Sequence, residues 1–242
     1  MSDLTRRIVV LGKTGAGKSS LANTIFGETL FKIDDSANSG TRVCQAETKR
    51  VNGTKLTWVD TPGFFDTSRP EEQLKSEIEK CIEKCAPGPH VFLIVLKVEK
   101  FTEQEKDVVT KIQQCFSEEA LNYAIVVFTR GDQLPEGMTI EQWVDLDPDL
   151  RNLVKKCGRR CHVIDNIKWK KDQTDEYRSN KFQVAEILKT IDRMAGANRK
   201  SCYTIEKLHA AYGSWANWSV GVTGVVAGIA ALVSIAVIVA KK

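Results

Sequence analysis

This 242-residue chain has no run of like charge, no zinc-type ligand spacing and no secretory signal pattern. It has 35 lysines and arginines against 31 acidic residues, with a formal charge of +4, and the basic side chains are dispersed. Such a balance gives no nucleic-acid patch. Seven cysteines stand at 44, 81, 85, 115, 157, 161 and 202. Cys81/Cys85 and Cys157/Cys161 are C-x₃-C pairs, yet neither has histidines at zinc-finger spacing. His162 adjoins Cys161, with no second C-x₂-C to complete a metal site. The odd count and the missing signal pattern predict reduced thiols in the cytosol, as free core or surface cysteines. The length allows one large or two small domains with ample material for a core.

One stretch organises the rest. Gly12-Lys13-Thr14-Gly15-Ala16-Gly17-Lys18-Ser19 fits G-x-x-x-x-G-K-[ST], the phosphate-binding loop called Walker A. Its glycines let the chain wrap closely, so that successive backbone N–H groups converge on phosphate oxygens. Lys18 supplies a point charge for the β- and γ-phosphates, and the Ser19 hydroxyl is a ligand for Mg²⁺. Leu4 to Leu11 reads as a buried strand leading in. Ser20 to Phe26 continues as a helix whose positive end faces the phosphates.

Gly27 to Arg42 is polar and loop-like, and Thr41 near its end is the candidate switch I threonine, whose hydroxyl would complete the Mg²⁺ shell. Two alternating strands, Val43 to Val51 and Lys55 to Asp60, are joined by the hairpin signal Asn52-Gly53. The second ends in Asp60-Thr61-Pro62-Gly63, a D-x-x-G pattern. Asp60 is expected to hold Mg²⁺ through water, and the unobstructed Gly63 N–H to meet the γ-phosphate. Phe64 follows, where many GTPases carry a glutamine that orients the attacking water. A phenyl ring cannot do so, which predicts slow hydrolysis. Phe64-Phe65 reads either as an apolar switch that docks on another surface or as two core residues.

An amphipathic helix over Pro70 to Cys85 is stopped by Ala86-Pro87-Gly88-Pro89. His90 to Leu96 is the unbroken apolar run of a central parallel strand. Thr102 and Glu105 form a capping box for a helix that buries Val108, Val109, Ile112, Cys115 and Phe116. Tyr123 to Phe128 is a further central strand, running into Thr129-Arg130-Gly131-Asp132. GTPases use [NT]-K-x-D here: Asp132 would take the two N–H donors of guanine, and Arg130 would lie over the ring in place of lysine. Adenine offers no such donor pair, which argues against the rival reading of an ATP-using P-loop kinase. Met138 to Cys157 carries two helices broken near Pro148. Arg160 to Asn166 is the last strand and its exit loop, with Asn166 where the second base-contacting loop belongs. Lys168 to Asp172 reads as a polar loop, and Tyr177 to Ala197 as a closing helix. The nucleotide-binding set is thus Gly12 through Ser20, Thr129 through Asp132, and Asn166. The class is α/β, a P-loop GTPase with a mostly parallel six-stranded sheet and helices on both faces.

GKTGAGKSS, DTPGFFDT, PHVFLIVLKVEKFTEQE, TRGD and CHVIDN together resemble the AIG1-type GTPases, also called the immunity-associated or GIMAP family, over about residues 6 to 200. The resemblance implies a septin- and Toc-like fold, GTP or GDP with Mg²⁺, slow hydrolysis in the monomer, and dimerisation across the nucleotide face, with itself or with related GTPases. Phe64 is what that class has in place of the glutamine. Some members gain activity from an arginine just before F-T-x-E, supplied across the dimer. Here Lys100 holds that position after Glu99, where a glycine is usual, and lysine lacks arginine's planar fork. Ile33 replaces a switch I serine common in the family. An immune role follows from the family alone.

Val220 to Ala240 contains 21 uncharged residues, eleven of them Val, Ile or Leu. At about 1.5 Å per residue such a run spans the roughly 30 Å hydrocarbon core. Trp215 and Trp218 flank one end and Lys241-Lys242 the other, as interfacial anchors do. Gly224-x-x-x-Gly228 reads either as a helix-packing seam or as the ordinary glycine of membrane helices. The expected organisation is a nucleotide domain over 1–199, a juxtamembrane linker over 200–218 and a transmembrane anchor over 219–240. It places the chain on an intracellular membrane, facing the cytosol. The sequence leaves two readings: a slow, dimerising GTPase switch, with Lys18, Thr41, Gly63 and Lys100 as its catalytic candidates, or a GTP-regulated membrane scaffold with negligible turnover.

Overall fold

A computed structural model describes residues 5–33, 44–63, 80–81, 83–166, 168–169, 176–197, 202–204 and 206–207. Six strands form one sheet: β1 (Arg6–Leu11), β2 (Gln45–Val51), β3 (Thr54–Asp60), β4 (Val91–Lys97), β5 (Ala124–Thr129) and β6 (Cys161–Val163). Their order is β2-β3-β1-β4-β5-β6. Only the edge strand β2 runs antiparallel, paired with β3. It is polar and largely exposed, with lysine and arginine along it, a composition that discourages edge-to-edge pairing. Asn52 and Gly53 both take positive φ at the hairpin, as a two-residue primed turn requires.

Alternation along the strands divides the core in two. Ile8, Val10, Leu93 and Val95 face one side, where they meet α1 (Lys18–Phe26) and α5 (Asn180–Ala197). Val9, Leu11, Phe92 and Ile94 face the other, under α2 (Glu103–Phe116), α3 (Ile140–Val144) and α4 (Pro148–Lys156). Burial on both faces is why β4 and β5 read as continuous apolar runs. The expected break near Pro148 falls between α3 and α4. Pro148 opens α4 at the first position, where its missing N–H has no helical partner to lose. The capping box at Thr102 and Glu105 is present in full.

The expected helix over 70–85 lies mostly outside the described residues; Lys80, Cys81 and Glu83 within it are helical. The fold corrects the expectation of wholly reduced thiols. Cys44, just before β2, meets Cys81 with a Cα–Cα separation of 5.8 Å, and the two form a disulfide. Their separation of 37 residues gave no sign of that meeting. Cys85, Cys157 and Cys161 are free and buried, and Cys115 is buried as well. Burial pushes the thiols of Cys85, Cys157 and Cys161 up to about 12, so they behave as small apolar groups.

The chain beyond α5 returns to the core. Tyr203 is 1% exposed, with its ring 5.3 Å from Phe92 and 5.9 Å from Tyr123, while its N–H donates to Pro89 O at 2.9 Å. Truncating an aromatic so buried removes ~3–5 kcal/mol of stability. The start of the expected linker therefore packs at the amino-terminal end of β4, away from the strand ends that carry the motifs. No helix among the described residues is long and apolar enough to cross a membrane, and the segment 219–240 lies outside them.

Two histidines make the fold acid-sensitive. His90 Nδ1 accepts the Arg7 N–H at 3.0 Å, and His162 Nε2 lies 3.0 Å from Thr190 Oγ1. Burial, joined at His90 by the charges of Arg7 and Arg6, lowers both from 6.5 to about 4. The unfolded chain then binds more protons than the folded one between those values. The stability these two neutral rings contribute is complete above about pH 6.5 and falls as pH drops toward 4. Urea midpoints measured from pH 7.5 to 5 should decline accordingly, and a flat profile would contradict the neutral state of these rings.

Candidate functional site

All the parallel strands deliver their carboxyl ends to one edge, and β1 sits at the centre with β3 on one side and β4 on the other. That is where crevices form in open α/β sheets. The Walker A loop leaves β1 there and enters α1 at Lys18. Gly12 has φ +150°, and a Cβ on it would lie 2.6 Å from Val95 O. Only glycine allows the loop to pass β4 at this distance. Gly17, with φ +92°, lies under Thr129 and Asn166, whose atoms would be 3.2 and 3.1 Å from an added Cβ. Lys18 Nζ donates to the carbonyls of Gly12 and Lys13 at 3.0 Å each, so the ammonium is held inside the loop's own curve.

The D-x-x-G segment closes on the same loop. Asp60 is fully buried at the end of β3, and Ser19 Oγ donates to its Oδ2 at 2.6 Å. Thr61 Oγ1 bonds Val10 O, fixing the turn to β1. Gly63 abuts Thr14 so closely that a Cβ would fall 1.9 Å from Thr14 Oγ1. A hydroxyl and a carboxylate side by side are hard oxygen donors of the kind Mg²⁺ takes. Ser19 and Asp60 therefore fit the metal role expected of them. Thr41, Phe64 and Phe65 lie outside the described residues.

The base-reading segments meet opposite. Thr129 Oγ1 reaches both Ala16 O at 2.8 Å and Leu96 O at 3.2 Å, which ties this motif to the phosphate loop. Gly131 N–H donates to Ile164 O at 3.0 Å, and Asp132 N–H to Asp165 Oδ2 at 2.9 Å. Asn166 Oδ1 accepts from Thr24 Oγ1 of α1 at 3.0 Å. Lys168 Nζ lies 2.6 Å from Asp132 Oδ2, and this ammonium holds the Asp132 carboxyl below its ordinary value. Together Gly15, Ala16, Gly17, Ser20, Thr129, Arg130, Asp132 and Asn166 line one cleft of about 1350 Å³. Lys100 is exposed on the loop before α2, and the side chain from this stretch that lines the cleft is Lys97.

Three contributors escaped the sequence reading. Asp165 is 1% exposed and accepts both the Asp132 N–H and, at 2.8 Å, the Lys168 N–H. It joins the two base-side loops, and α5 is added because Asp165 N–H donates to Asn180 Oδ1 at 3.1 Å. Its position at a strand's carboxyl end was the available signal. Trp169, read as part of a polar loop, is buried with its ring 2.7 Å from where a Gly131 Cβ would stand. Glu105 bonds Lys13 of the phosphate loop as well as capping its own helix.

Known proteins share this outline. The profile of the AIG1 family matches residues 6–217. Immune-associated nucleotide-binding protein 8 of Arabidopsis thaliana is 37% identical over 207 residues, 84% of this chain and 57% of that protein. GTPase IMAP family member 8 of Rattus norvegicus is 33% identical over 78% of this chain and 26% of its own length. The chain thus spans only part of either relative. Toc33 from Arabidopsis thaliana, in complex with Mg²⁺ and GMPPNP, shares the fold with a TM-score of 0.62 at 20% identity, over 81% of this chain and 86% of that one. A dimerization-deficient mutant of Toc33 gives 0.63.

Proposed function

The chain belongs to the AIG1 family, and we propose that it is a guanine-nucleotide-binding protein and a slow, Mg²⁺-dependent GTPase that acts as a membrane-anchored, dimerising switch. One observation carries the reading. Segments far apart in sequence, from Gly15 to Asn166, line a single cleft that holds both phosphate-loop residues and Asp132. Asp132 would accept the two ring-edge N–H groups of guanine, with Arg130 over the base. An adenine offers that carboxylate no such donor pair.

The chemistry follows from what each group can do. Lys18 and the loop N–H groups stabilise charge on the phosphates, and the Gly63 N–H meets the γ-phosphate. Mg²⁺, when held by Ser19 and Asp60 with Thr41, supplies further neutralisation of that charge. Water attacks the γ-phosphate in line, and GDP leaves. With Phe64 in the glutamine position, no amide orients that water, so turnover is slow. Lys100, exposed and outside its own cleft, suits a role across a dimer. The existence of a dimerization-deficient Toc33 mutant supports self-association in this fold. Residues 219–240 anchor the chain in an intracellular membrane with the nucleotide domain in the cytosol, and the names of its relatives support an immune setting. Phe64 also favours a second reading, a GTP-regulated membrane scaffold with negligible hydrolysis.

GTP should outcompete ATP for the cleft, and Asp132→Asn should shift preference from guanine toward xanthine nucleotides in a competition assay. Unchanged preference would remove Asp132 from base recognition. GTP turnover per molecule should rise with protein concentration if the dimer is the catalyst. A flat, near-zero rate with tight GTP binding would establish the scaffold instead. Deleting residues 219–242 should release the protein from membranes on fractionation, and retention would place the anchor elsewhere.

A further inference from the structure

Glu105 does two jobs with two oxygens. Its Oε2 accepts the Thr102 N–H at 3.2 Å and the Thr102 hydroxyl, which completes the cap of α2. Its Oε1 accepts from Lys13 Nζ, the first variable position of the Walker A loop. The carboxylate side chain is only 7% exposed, whereas that of Lys13 is 30% exposed. A charge so enclosed needs a partner, and Lys13 is the cation that reaches it. The main chain of Lys13 meanwhile accepts from Lys18 Nζ at 3.0 Å and from the Ala16 N–H at 3.2 Å. Lys13 and Glu105 also close the seam between the loop and α2, where a space of about 10 Å³ remains.

We propose that Glu105 is a positioning residue for the phosphate loop: through Lys13 it tethers the loop to the amino terminus of α2. This rests on the reading of the cleft as a nucleotide site. Lys100 lies two residues before the Thr102 that Glu105 caps, so the same tether joins the phosphate loop to the stretch proposed to act across a dimer.

Glutamine separates the two jobs. It serves in a capping box as glutamate does. Its amide oxygen still accepts from Thr102, while the NH₂ group turned toward Lys13 offers a donor to a donor. Binding of a fluorescent GDP analogue with Mg²⁺ would be measured on the full chain in detergent, together with urea unfolding. Glu105→Gln should leave the urea midpoint nearly unchanged yet weaken GDP binding about five- to tenfold, the scale of one charge-assisted contact acting indirectly. Lys13→Gln should lose a similar factor, Lys13→Arg should restore it, and the double glutamine variant should be no weaker than the worse single. A purely structural cap would show no dependence on Lys13. Wild-type affinity in Glu105→Gln, or additive losses in the double variant, would overturn the tether. If Glu105→Gln fails to fold, Lys13→Gln against Lys13→Arg decides, since equal affinities also overturn it. A wild-type chain that binds no GDP would overturn the nucleotide reading and the tether with it. Normal GDP binding by the wild type, with unaffected variants, removes the tether alone.

Discussion

The close approach of three glycines to their neighbours around the phosphate loop is the constraint on which the rest of the site depends. Gly12 passes Val95 O, Gly17 slips beneath Thr129 and Asn166, and Gly63 comes against Thr14 from the neighbouring strand. A Cβ would clash outright at Gly12 and Gly63 and sit tightly at Gly17, and Gly12 and Gly17 hold a positive φ as well. A methyl at Gly12 would press on the β4 backbone at Val95, and one at Gly63 on Thr14 of the loop. The loop is therefore a part held from three sides, by the ends of β3, β4 and β5, rather than a flexible turn. Its amides can point inward without reorganising when an anion arrives.

The buried charges follow the same plan. Lys18 rests on the loop's carbonyls, Asp60 on Ser19, Glu105 on Lys13 and Thr102, and Asp165 on two backbone amides. None of these groups is placed for packing, and apolar residues would fill the same volume at lower desolvation cost. Their common property is that each fixes a loop at the carboxyl edge of the sheet. Polar burial, costly elsewhere, is concentrated where two or more loops must keep register with one another.

Much of this was legible beforehand. The apolar runs of β4 and β5, the Asn52-Gly53 hairpin, the Thr102/Glu105 box and the two helices around Pro148 all depend on local chemistry, and local chemistry is written in consecutive residues. The motif residues were legible for a related reason: a backbone that must approach a phosphate needs glycine at set intervals, whatever surrounds it. Trp169 misled because its neighbours are charged, and only the fold brings Gly131 beneath its ring. Tyr203 misled because it follows the last helix, yet its pocket is built from Phe92 and Tyr123, distant in the chain.

By itself the sequence determined the order of strands and helices, the phosphate loop, the D-x-x-G and TRGD segments, and the family to which they belong, because spacing and side-chain type express these directly. Tertiary structure alone decided the pairing of Cys44 with Cys81, the Asp165 link between the base-side loops, the seat of Tyr203 and the bond from Glu105 to Lys13. Each joins residues from 15 to more than 100 positions apart. Such meetings are set by how the layers stack on the sheet, and no local periodicity or motif spacing records them.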